Sequence, residues 1–362
     1  QLYQAEQYSQ ALSIWQQAVA AFQATGDTLK QAEALSNLSL TAQQLGQWSD
    51  AEAAIQSALA LLTTDHSNPS PTRSTLLAQA LDVQGRLQLS RGQAELALES
   101  WKQAAEIYEQ LEDSARLTRN QINQAQALQS LGFYGQARDQ LTEIEENLQN
   151  QPDSLLKAIG LRSLGTVLRV TGDLDESHQR LEAGLTVAAA IGASQEMGEI
   201  LLSLGNTALA QKDNSAALAY YQRAATVASP ATAVSAQLRQ LRLLIGTSST
   251  DTSLVDLAQT QLPQLLNQIA SLPLSRTAIY AHIHLAQSWI ELENKMAENL
   301  SLPGAVQEPA QLLETAIQQA RSLEDQRAES YALGILGHWN ETTQQWVAAE
   351  QQTQQALVIA QA

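Results

Sequence analysis

Small residues recur along this chain at an almost constant step: Ala11, Ala51, Ala97, Ala137, Ser177, Ala217, Ala258, Pro309 and Ala349. The intervals are 40, 46, 40, 40, 40, 41, 51 and 40 residues. A fixed period in this range marks stacked structural repeats, in which each unit buries its apolar face against its neighbours. A chain of 362 residues is too long for one compact core but suits such an array. Its wealth of Ala, Leu and Gln, with few aromatic residues, favours helix over sheet.

The segment from Ala34 to Leu62 shows what one unit contains. Leu35, Leu38, Ala42 and Leu45 keep helical spacing, and Gly46 follows as a C-cap. Trp48 and Asp50 lead into a second helix through Ala51, Ile55, Ala58 and Leu59. Small residues at Ala51 and Ala58 let the two helices approach, while Trp48 and Ile55 fill the space beside them. The same grammar returns with Leu164-Gly165, Gly172, Ser177, Leu181 and Gly184. It returns again with Leu204-Gly205, Ala217, Tyr221 and Ala224, and with Leu336-Gly337, Trp346, Ala349 and Ala356.

A Leu-Gly pair in one helix, then an aromatic residue, Ala, a bulky residue and Ala in the next, resembles the tetratricopeptide repeat. The expected fold is all-α, a right-handed tetratricopeptide superhelical solenoid of about eight helix-turn-helix repeats. The usual repeat is 34 residues, so a 40-residue step predicts longer second helices and linkers. The array is expected to fill residues 1–362 as one domain: a partial repeat at 1–24, then 32–63, 78–112, 118–150, 158–192, 198–229, a degenerate 231–272, 275–323 and 329–362. The wide steps mark a proline-bearing loop at Thr64–Pro71 and an inserted loop at 294–309. Gly246–Thr252 is rich in Ser and Thr where a first helix should finish, so curvature is expected to change there. A solenoid normally carries polar caps. The partial first repeat and the absence of a cap after Ala362 make a piece of a longer protein the expectation.

There is no cysteine, which removes disulfides, thiolate zinc sites and cysteine nucleophiles from consideration. The charge of −17 repels phosphate backbones and anionic membranes, so nucleic-acid binding is disfavoured and the acidity reads first as solubility. No apolar run approaches the 18 residues of a membrane span. No phosphate loop is present, since Gly160 and Gly165 lack the following Lys and lie within a helix. His282 and His284 are two apart on a helix and face differently, which argues against a metal pair. Trp15, Trp48, Trp101 and Trp346 occupy packing positions. No catalytic residue, cofactor or metal site is expected. The chain opens at Gln1 without Met and without a basic-plus-apolar leader, as expected of an excised piece or of a chain whose signal peptide has been removed, so the compartment, cytoplasmic or exported, stays open.

Several strings resemble the N-terminal repeat regions of bacterial, chiefly cyanobacterial, CHAT-domain proteins. Among them are ALSNLSLTAQQLGQW (34–48), INQAQALQSLGFY (122–134), SRTAIYAHIHLAQS (275–288) and DQRAESYALGILG (325–337). In that family a helical-repeat region precedes a caspase-like protease domain with a His/Cys dyad. The resemblance implies a non-catalytic sensor or docking region and transfers no catalytic residue. The alternatives are a peptide-sensing regulator and a self-stacking assembly scaffold.

In tetratricopeptide arrays the first helices line the concave face. Counting from each Leu-Gly pair, groove positions fall two before, one before, two after and five after the Leu. In the second to sixth units these positions place Asn37, Arg86, Asn123, Arg162, Arg169 and Asn206 in the groove, with Arg119 one turn before the fourth unit's positions. Arginines bind carboxylates bidentately, and asparagines offer a donor and an acceptor to an extended backbone. The expected partner is a protein or peptide, acidic or presenting its C-terminus. The alternative is that the arginines pair with neighbouring acids such as Asp82 or Glu199.

Overall fold

A computed structural model describes residues 7–64, 70–247, 260–296 and 308–361. Among these, seventeen helices follow one another with no strand. They are α1 (Tyr8–Thr25), α2 (Thr28–Gln44), α3 (Trp48–Thr63), α4 (Pro71–Ser90), α5 (Ala94–Gln110), α6 (Ser114–Ser130), α7 (Tyr134–Gln149), α8 (Leu155–Thr171) and α9 (Leu174–Ala190). There follow α10 (Ser194–Ala210), α11 (Asn214–Val227), α12 (Pro230–Thr247), α13 (Leu262–Ala270), α14 (Arg276–Met296), α15 (Glu308–Ser322), α16 (Gln326–Thr342) and α17 (Trp346–Gln361). Contacts divide the chain into two compact units, Gln1–Glu196 and Met197–Ala362, with the division inside α10.

The 40-residue step arises differently from the expectation. Both helices of a pair are lengthened, commonly to 17 residues, and the links stay at about three. Ten of the described links turn through one left-handed residue, and those at 92, 112, 132, 172, 192 and 212 stand at multiples of 20 apart. At Gly132 (φ 82°) its own N–H reaches the Gln129 carbonyl, while the Phe133 N–H donates to the Leu128 carbonyl at 2.8 Å. These paired bonds satisfy carbonyls the helix end leaves open. Asp27, Ser70, Asp113 and Ser154 cap the starts of α2, α4, α6 and α8 by accepting from the backbone N–H three residues on.

Close packing within a pair depends on a small residue twelve positions before each rung of the ladder. Ser39, Gly85, Ala125, Gly165, Gly205 and Gly337 hold this place. A Cβ at Gly85 would lie 2.7 Å from the Trp101 ring, and one at Gly165 would lie 2.6 Å from Leu181 Cγ. The bulky side chain four residues after the rung thus rests directly on the first helix's backbone. Ala51, Ala97, Ala137, Ser177 and Ala217 are wholly buried, and Pro309 is buried in the first turn of α15. Ala258 lies outside the described residues. Ser177 is held by its hydroxyl, which donates to the Gly165 carbonyl at 2.7 Å.

In unit one, α2, α4, α6 and α8 touch in succession, forming one layer, while α3, α5, α7 and α9 pack behind them. In unit two, α12, α14 and α16 form the corresponding layer. Two expectations change. Trp101, Trp289 and Trp339 are buried, but Trp346 is 62% exposed, because α17 buries only Ala349 and Ala356 against its neighbour. The inserted loop expected from Asn294 starts later, since α14 continues to Met296. Residues 65–69, 248–259 and 297–307, on which the other loop expectations fall, lie outside the described residues.

Candidate functional site

The layer of first helices is where the ladder's register points, and the two units furnish it differently. In unit one, Asp82 on α4 is a hub. Tyr108 Oη donates to its Oδ2 at 2.7 Å, and Asn120 Nδ2 to its Oδ1 at 2.6 Å. Gln124 extends this chain by donating to Asn120 Oδ1 at 2.8 Å. Burial pushes the Asp82 carboxyl up, outweighing those hydrogen bonds and the charges of Arg86 and Arg119, all of which favour the carboxylate. Burial likewise raises the Tyr108 phenol, with the Asp82 charge adding to the effect.

Arg86 and Arg119 are therefore brought together around one acid while remaining exposed. Arg162 goes elsewhere: its Nε donates to Glu196 Oε1 at 2.6 Å, and Glu196 is buried. Arg169 is half-buried and its side chain has no partner among the described residues, as is also true of Asn123. Asn37 donates back to the Glu33 carbonyl of its own helix at 3.0 Å. In unit two, Asn206 Oδ1 accepts from Tyr221 Oη at 2.9 Å and from Arg239 Nη1 at 3.1 Å.

Two sizeable openings lie in unit two, in residues the register count did not reach. A cleft of about 790 Å³ between α12 and α14 is lined by Arg239, Arg242, Arg276, Tyr280 and His284. A second, of about 710 Å³, lies between α14 and α16 and is lined by Ile290, Lys295, Tyr331, Gly334, Ile335 and His338. Gln287 and Glu291 line both. Arg276 is anchored, with Nε 3.1 Å from Oδ2 of the buried Asp325 and its guanidinium 5.6 Å from the Tyr280 ring centroid. Gln287 Nε2 donates to Tyr331 Oη at 2.9 Å, while its Oε1 lies 3.1 Å from His284 Nδ1. Arg242 is exposed and has no partner among the described residues.

Extending the groove count would have found part of this surface. From Leu336 it gives Gly334, Ile335 and His338, and these three line the second cleft. The eighth repeat, 275–323, has Leu285-Ala286 at the counted pair, and its equivalent positions are His284, Gln287 and Ile290. His282, by contrast, is buried with Nδ1 2.8 Å from the Ala278 carbonyl, and burial lowers its pKa. Among the described residues no group of three or more acids and histidines could hold a metal ion, and no helix is long and apolar enough to cross a membrane.

Among solved structures, the chain is similar to a Rap protein complexed with competence and sporulation factor (TM-score 0.52, 13% identity, 98% of each chain covered). It is also similar to the apo quorum sensor NprR from B. thuringiensis (TM-score 0.54, 10% identity, 98% of this chain and 99% of that one). The fold is an α-solenoid of tetratricopeptide type. This solenoid is similar as well to BtubC from P. vanneervenii (TM-score 0.51, 19% identity), with 61% of this chain and 90% of that one covered. No family model and no curated protein matches the sequence.

Proposed function

We propose that this chain is a non-catalytic peptide-binding module that grips an acidic side chain or a free C-terminus on its first-helix layer. The observation that carries the reading is the cationic cleft of unit two. In a chain of charge −17, Arg239, Arg242 and Arg276 converge on one concavity beside Tyr280. Guanidinium groups in such a setting suit carboxylates, and charge complementarity speeds and orients encounter. The Rap protein solved with competence and sporulation factor and the quorum sensor NprR, similar over almost their whole length, support a peptide ligand. In unit one, Arg169 and Asn123 are the positions best placed to contact a peptide. Arg86, Arg119 and Arg162 serve first to balance Asp82 and Glu196, and Asn37 and Asn206 are engaged within the chain.

The test is fluorescence anisotropy of labelled acidic peptides on the full chain. Arg239→Glu with Arg242→Glu should weaken them at least ten-fold, with the loss reduced at high salt. Equal binding by the double variant overturns the reading.

The finer placement, a sensor or docking region of a CHAT-type protein, rests on the strings at 34–48, 122–134, 275–288 and 325–337. Reading the gene beyond Ala362 tests it: a caspase-like His/Cys domain supports it, and a gene without one overturns it. Self-stacking draws support from the exposed Trp346, Val347, Leu357 and Val358 of α17. A chain that stays monomeric at high concentration removes that reading.

A further inference from the structure

Gly334 sits in the interior of α16, where glycine costs helix stability relative to alanine. Gly337, one turn on, has a packing reason, since a Cβ there would lie 2.6 Å from Thr353 Oγ1. Gly334 has no such reason: nothing lies within 4 Å of where its Cβ would be. The space it leaves belongs to the 710 Å³ cleft between α14 and α16. Ile290 and Ile335 contribute apolar surface to that cleft, and the Tyr331 ring is fixed at its edge by the hydrogen bond from Gln287. Lys295 is held aside, its Nζ donating to the Ile245 carbonyl at 2.6 Å. Glu291 lines this cleft as well as the cationic one. Only the α12/α14 cleft has arginines to offset that carboxylate, so an acidic group is placed there and not in the α14/α16 cleft.

We infer that the α14/α16 cleft is a specificity pocket for a bulky apolar side chain of the same peptide whose acidic group meets Arg239 and Arg242, and that Gly334 keeps it open. The inference rests on the peptide-binding reading above and adds the ligand's class: an acidic residue followed or preceded, a few positions away, by a large apolar one. The two clefts share Gln287, whose amide stands between the subsites.

The experiment uses the full chain and labelled nonapeptides of Gly and Ser that carry one Asp and, two to four residues away, one Phe. The same peptides with Ala for Phe, or Asn for Asp, complete the set. The Phe peptides should bind about ten-fold or more tighter than the Ala peptides, as expected from burying one aromatic side chain. Gly334→Leu should abolish that preference, bringing the Phe peptides down to the affinity of the Ala peptides, with a melting temperature at or above wild type. Ile335→Ser, which makes the lining polar without changing the glycine, should reduce the preference independently. Equal binding of Phe and Ala peptides, with Asn for Asp still weakening both, overturns the pocket but leaves the cationic cleft standing. A Phe preference that survives both variants also overturns it. Binding that is indifferent to Asp, or no binding by any peptide, overturns the underlying reading and this one with it.

Discussion

The two units are made of the same helix pairs, yet their first-helix layers end in opposite states. In unit one the layer is closed on itself. Asp82 is met by Tyr108 and Asn120, Arg162 by Glu196, and Gln43 Nε2 reaches from α2 to the Val83 carbonyl of α4 at 3.2 Å. In unit two the layer opens into two clefts whose arginines are anchored by few acids. The links differ too. Six of the seven left-handed link residues in unit one are glycines, whereas Lys212, Glu324 and Gln344 hold those found in unit two. Regular repetition packs the layer shut. The opening appears beside the degenerate repeat, 231–272, whose sequence departs furthest from the common pattern.

The largest expected effect tests whether the unit-one arginines are structural. Arg162→Leu removes the ion pair of the buried Glu196 and should cost about 3 kcal/mol in urea unfolding. Arg239→Leu, on the exposed wall of the unit-two cleft, should stay within about 0.5 kcal/mol. Equal costs would erase the contrast between the units. Next come the glycines. Gly165→Ala forces a Cβ against Leu181 and should destabilise by about 1–3 kcal/mol. Gly334→Ala enters open space and should stabilise by about 0.5–1 kcal/mol.

Asp82 gives a pH signature confined to unit one. Its folded carboxyl titrates above the unfolded value, so between those values the native state holds the extra proton. Its contribution to stability therefore falls as pH rises from about 4 through the raised range. Melting curves of wild type and Asp82→Asn should diverge across that window, the wild type losing more as pH rises. Parallel curves would remove Asp82 as the cause. The smallest change is at a link: Lys212→Gly should relieve a left-handed lysine (φ 65°) and raise stability by roughly half to one kcal/mol.

The ladder made the fold legible because alanine, serine or glycine is the only economical answer where two helix backbones touch. Ala51, Ala97, Ala137 and Ala217 are buried for that reason. Link length was not legible in the same way. A left-handed turn accepts Glu112 or Lys212 as well as glycine, so the links carry no uniform residue signal. The site was legible only in part. Counting in the second to sixth repeats reached Arg162 and Arg169 but not Arg239 and Arg242, which lie in the degenerate repeat with no recognisable pair, nor Arg276, which opens the repeat after it. Nor could spacing foretell that Arg162 would spend its charge on Glu196, thirty-four residues away in the chain.

The even placement of left-handed link residues has a consequence for how such a chain can change length. Tyr134 and Leu174 each open a helix directly after a link, exactly one 40-residue step apart. A genetic deletion of residues 134–173 would join Phe133 to Leu174 and recreate a link of the same length, with every downstream rung still in phase. Duplication of the same stretch would do likewise. The fold thus tolerates growth and shrinkage in whole modules, and a lineage carrying it can vary reach by recombination without inventing a new interface.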